Sequence, residues 1–155
     1  MRLQLKKDDW LFLAVVPAIL IDAALTLAGQ PVAYWLYDPA AIHEAGPLAG
    51  IALALGPLAF AAFVAFWLAL VFAAIRLSPY PLNIFFSLFL LLAHTGAADR
   101  WMRVILLYGI ELKTDTIWWA YRLLDLLMAG WAAFCLWQWK GKEVFKAAGK
   151  KNRPR

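Results

Sequence analysis

The sequence carries little charge. Asp, Glu, Lys and Arg make up 16% of its 155 residues, where a soluble domain holds about 25%. Apolar residues reach 65%, against about 45–50% in a soluble domain. That excess is more than the interior of so short a chain can absorb, so lipid is the expected solvent. Cysteine is nearly absent: Cys135 stands alone in an apolar run, which excludes an internal disulfide. Histidine is scarce too. His43 and His94 are the only two, and no pair spaced to share one helix face is present to seat zinc. Haem held by two histidines would consume both, one of them in a loop. Glycine-rich phosphate loops are missing. So are internal repeats, which removes the usual material for alternating-access transport. The length allows one compact unit without a separate soluble domain.

What charge there is gathers at the ends. The net charge is +5, and residues 140–155 hold seven Lys or Arg against one acid, Glu143. Beside an apolar span, such a tail marks a cytoplasmic membrane flank rather than a nucleic-acid surface, and no nucleic-acid partner is expected. The start, "MRLQLKKDDWLFLAVVPAILIDAAL", has the basic opening of a signal peptide. Its apolar stretch approaches full spanning length and lacks a clean small-residue cleavage pattern, so it reads as a retained first span.

A helix needs about 20 apolar residues to cross about 30 Å of hydrocarbon. Four segments qualify: 10–28, 47–77, 80–98 and 116–139. The third opens at Pro79 and Pro81, as a helix start does. The fourth has Trp118, Trp119, Trp137 and Trp139 near its ends, where aromatic belts lie. The second segment is long for a single span, at about 46 Å if wholly helical. It must tilt, project, or bend near Gly56-Pro57; no turn divides it into two spans. The stretch 101–112, "WMRVILLYGIEL", is too short to cross and is expected to lie at the interface as an amphipathic helix. The predicted fold is therefore an all-α, integral membrane four-helix bundle with a short interfacial helix between spans three and four. Residues 1–139 form its transmembrane domain and 140–155 a basic cytoplasmic tail.

Positive charge orients the bundle. Arg2, Lys6 and Lys7 precede span one, and residues 29–46 contain neither Lys nor Arg. A multi-pass protein of the cell membrane, with both termini cytoplasmic, follows from that asymmetry. Arg100, Arg103 and Lys113, after span three, run mildly against it.

In this topology the costly residues converge on the outer half. Asp22 and Thr26 share a face of span one at i,i+4 spacing. His43 and Glu44 close the outer loop. Asn83, Ser87 and His94 form one stripe on span three, with His94 near its outer end and Asp99 and Arg100 following. Arg122 and Asp125 enter span four from the same side. A charge at mid-membrane costs about 2.5–3.5 kcal/mol on insertion scales, so such groups face the bundle and pair. Asp22, too deep to reach bulk water, is expected to face Arg122 and His94, with Thr26 and Glu44 completing a polar pocket. Arg122 neutralising Asp22 or Asp125 merely to set helix register is the bland reading of the same residues.

The stretch "IDAALTLAGQPVAYW" followed by "IHEAGPLAG" resembles a family of small bacterial polytopic membrane proteins of unknown function. The matching positions are Asp22, Thr26, Gly29, Gln30, Pro31, Tyr34, Trp35, Glu44 and Pro47; Gly46 stands where the family tends to have Asn. The resemblance, which extends to "LLAHTGAADRW" and covers about the first two thirds of the chain, implies a four-helix architecture in a bacterial inner membrane and no particular activity. A weaker likeness is to the sterol-isomerase-like four-span fold, without a full motif.

Three functional readings stay open. The first is an outer-facing intramembrane pocket of Asp22, Thr26, His43, Glu44, His94, Asp99, Arg122 and Asp125 that binds a small molecule, lipid or partner. The second is a membrane enzyme using Asp22, Glu44 and His94 for acid–base or metal-assisted chemistry. The third is an accessory subunit of a larger membrane complex, or of a homo-oligomer, with the polar groups as glue. The lipid bilayer is a partner in all three, and no cofactor or metal is specified.

Overall fold

A computed structural model describes residues 7–36, 38, 40–43, 46–108 and 114–151, with the side chains of 8–36, 38, 40–43, 46–105 and 119–140. The described elements are all helical: α1 (Lys7–Ala28), α2 (Val32–Leu36), α3 (Pro47–Ala54), α4 (Pro57–Leu77), α5 (Leu82–Tyr108) and α6 (Thr114–Lys151). Four of them are long and apolar enough to cross a membrane, over Asp8–Ala28, Pro57–Leu77, Leu82–Ile105 and Trp119–Lys140. Only 33, 17, 22 and 17% of the four spanning windows is buried within the protein. Much of the remainder, including Leu58, Phe66, Leu92 and Trp137, is exposed apolar surface that requires lipid around it.

α1 and α5 run side by side through the centre; α4 packs against both on one flank and α6 against both on the other. Ala18, Leu91 and Ala132 join α1, α5 and α6 in one buried cluster. Leu11, Val15, Ile19, Val71, Ile75 and Trp139 fill the end near the N-terminus. Tyr34, Ala52, Leu53 and Phe60 fill the opposite, loop end. Near the N-terminus Asp9 pairs with Arg76 at 3.4 Å and Asp8 accepts from Asn83 at 3.4 Å. The fully buried Ser87 donates to the Leu11 carbonyl at 2.8 Å, pinning α5 to α1.

Two sequence expectations change. The 47–77 segment is two helices, α3 and α4, and only the second spans. Pro57 disfavours helical backbone at the residue before it, and Gly56 adopts φ +105°, which costs glycine little. The expected interfacial helix is not a separate element: Trp101–Tyr108 continues α5. Asp99, Arg100 and Arg103 make that stretch polar, but polarity does not end a helix. Residues 97–108 contain neither proline nor glycine to do so. The helix of span four likewise continues through much of the basic tail, to Lys151.

Pro17, inside α1, creates a local debt. Lacking an N–H, it leaves the carbonyl four residues back, on Leu13, without its helical donor. Within lipid no water replaces that bond. The Trp131 indole on α6 does, donating from Nε1 to the Leu13 oxygen at 2.7 Å.

Candidate functional site

A cavity of about 600 Å³ opens at the loop end between α1, α4 and α5. Each helix contributes one face. α1 presents Ile19, Asp22, Ala23 and Thr26, and α4 presents Phe60, Phe63, Val64 and Trp67, both at spacings of three, four and seven. From α5 come His94, Ala97, Arg100, Trp101 and Val104; Leu48 and Ala49 of α3 and His43 of the loop complete the mouth. The lining is mostly apolar with a few convergent polar groups, the usual character of a small-molecule site.

The deep wall is a three-residue hydrogen-bonded chain. His94 Nδ1 lies 2.7 Å from Asp22 Oδ2, and Trp67 Nε1 donates to His94 Nε2 at 3.1 Å. An indole N–H can only donate, so Nε2 must carry a lone pair and Nδ1 the proton. The imidazole held this way is neutral, and Asp22 faces no counter-charge from it. Both His94 nitrogens are engaged within the protein. Asp22 Oδ1, by contrast, has no hydrogen-bond partner among the described residues.

The loop is fastened by Gln30, which is buried. Its Nε2 donates to the carbonyls of Thr26 (2.8 Å) and His43 (3.4 Å), while its Oε1 accepts from the His43 N–H at 2.9 Å. One side-chain amide thus ties the loop to the last turn of α1 and sets His43 over the cavity. Gly29 is where α5 comes closest: a Cβ there would stand 2.6 Å from Cζ3 of Trp101, inside van der Waals contact. Tyr34 packs below α3, its hydroxyl buried without a hydrogen-bond partner among the described residues. Burial pushes its phenol above the ordinary value of 10.0.

The structure divides the sequence candidates. Asp22, Thr26, His43 and His94 line one cavity; Glu44 lies outside the described residues. Asp99, Arg122 and Asp125 do not line it. They form a second polar group between α5 and α6, where Arg122 pairs with Asp125 at 3.2 Å and Asp99 sits in the field of Asp125, Arg103 and Arg122. The expected Asp22–Arg122 pair is absent because an acid one turn along α6 meets that guanidinium first. Sequence reasoning missed the roles of Trp67, Arg100, Trp101 and Gln30. The Phe60, Phe63, Val64, Trp67 spacing was a usable signal for a helix face, but not for which face turns inward.

Among the described residues, no group of three or more His, Cys, Asp or Glu side chains is placed to hold a metal ion. No known protein family, curated protein or solved structure matches this chain.

Proposed function

We propose that this integral membrane protein holds a small, largely apolar molecule in the cavity between α1, α4 and α5. The cavity opens to the outer face, and both termini lie in the cytoplasm. The observation that carries the reading is a roomy, mostly apolar chamber whose few polar groups are positioned by the Gln30 clamp and the Asp22–His94–Trp67 chain. Binding is favoured over acid–base catalysis because Trp67 occupies the one lone pair with which His94 would take a proton or ligate a metal. Gly29 and Gln30 build the rim of the same site, and Tyr34 supports it from below.

Ala97→Trp, which fills the cavity from α5, tests the binding reading. Protein purified into lipid nanodiscs and extracted for mass spectrometry is expected to release a molecule that the variant has lost. Identical extracts from both proteins refute the reading. Orientation has its own measurement, with single cysteines at Ala40 and Lys150 in a Cys135→Ala background. A membrane-impermeant maleimide added to intact cells is expected to label the first and spare the second; labelling of both from one side overturns the topology.

A further inference from the structure

We infer that the cavity selects a lipophilic cation, its positive centre beside Asp22 and its apolar body among the aromatic rings of α4. The inference deepens the binding reading and rests on it. Asp22 stands inside a spanning helix with its side chain only 16% exposed, where a carboxylate is expensive unless paired. Its neighbour His94 is held neutral by the Trp67 indole, so it supplies a hydrogen bond to Oδ2 and no positive charge. Asp22 lines the cavity, and among the described residues no donor reaches its Oδ1. A carboxylate left in this condition is completed by a cation that arrives from outside the chain.

The surrounding walls suit such a guest. Phe60, Phe63 and Trp67 place aromatic rings on the side of the cavity facing Asp22, and aromatic faces attract cations more strongly when water is excluded. Among the described residues, the one lining residue of fixed positive charge, Arg100, is exposed and lies six residues beyond His94 on α5, about 9 Å further toward the mouth. Water screens it there, whereas Asp22 acts in the drier interior. The cavity therefore has a negative floor and a screened positive rim. An anion held at Arg100 is the opposite occupant, and the same experiment detects it.

Tetraphenylphosphonium and tetraphenylborate have nearly the same shape and opposite charge, which isolates the sign of the field. Binding of each to the purified protein in nanodiscs is measured by equilibrium dialysis, with uptake by empty nanodiscs subtracted. The phosphonium ion is expected to bind at least about tenfold more tightly than the borate. Asp22→Asn, which keeps an acceptor for the His94 N–H, is expected to abolish that preference. Arg100→Gln, at an exposed position, is expected to strengthen phosphonium binding and guards against misfolding of the first variant. Equal or reversed preference in the parent, preference retained in Asp22→Asn, or weaker phosphonium binding in Arg100→Gln each overturns the inference. Equal binding of both ions leaves the binding reading standing. Binding of neither, above empty nanodiscs, overturns both.

Discussion

Asp22→Ala is expected to destabilise the folded protein in detergent by about 2–3 kcal/mol, because it strands the His94 Nδ1–H in a cavity wall that water reaches poorly. The carboxylate is the partner that orients the ring; without it, the imidazole is also free to rotate away from the Trp67 indole. His94→Leu should cost a similar amount by leaving Asp22 Oδ2 without its donor. The double variant is the decisive measurement. Removing both partners leaves no orphan, so its loss should fall short of the two single losses by about 1 kcal/mol or more. Thermal unfolding followed by circular dichroism reads all three. Strict additivity would mean that the 2.7 Å contact contributes nothing to the fold. By the same logic, Asp22→Ala with Arg122→Leu should show no rescue, since Arg122 is paired with Asp125.

The second large effect belongs to Pro17. Trp131→Phe keeps an aromatic ring against α1 but removes the donor to the Leu13 carbonyl, and is expected to cost about 1–2 kcal/mol. Pro17→Ala restores an N–H four residues after Leu13, so the helix can satisfy that carbonyl itself. In the Pro17→Ala background, Trp131→Phe should therefore cost less than about 0.5 kcal/mol. An equal cost in both backgrounds would show that Trp131 acts through packing alone. The pair illustrates how a spanning helix tolerates proline: the freed carbonyl is met by a side chain from a neighbouring helix.

Both effects turn on partners that no local pattern discloses. Leu13 and Trp131 are 118 residues apart, and Asp22 and His94 are 72 apart. The motif around Gly29-Gln30-Pro31 acquires its meaning in the same way. It signals a helix end on its own, but only the fold shows Gly29 yielding room to Trp101 and Gln30 gripping His43.

Composition by itself determined the solvent, the all-helical class and the number of spans, because each depends on one segment at a time. Apolar length decides whether a helix crosses lipid, and backbone polar groups in lipid admit little besides helix. The convergence of Asp22, Thr26, His43 and His94 on one end of the bundle was also legible, since residue counts along alternating spans fix depth without fixing rotation. Rotation and pairing were decided only by the tertiary structure. A ring of mostly apolar residues leaves a helix nearly free to turn about its axis when its surroundings are as greasy as its neighbours. Which face meets which is then set by side-chain fit and by the few hydrogen bonds that the packed bundle permits. That is why Arg122 met Asp125, why Trp67 closed over His94, and why Asp22 lines the cavity.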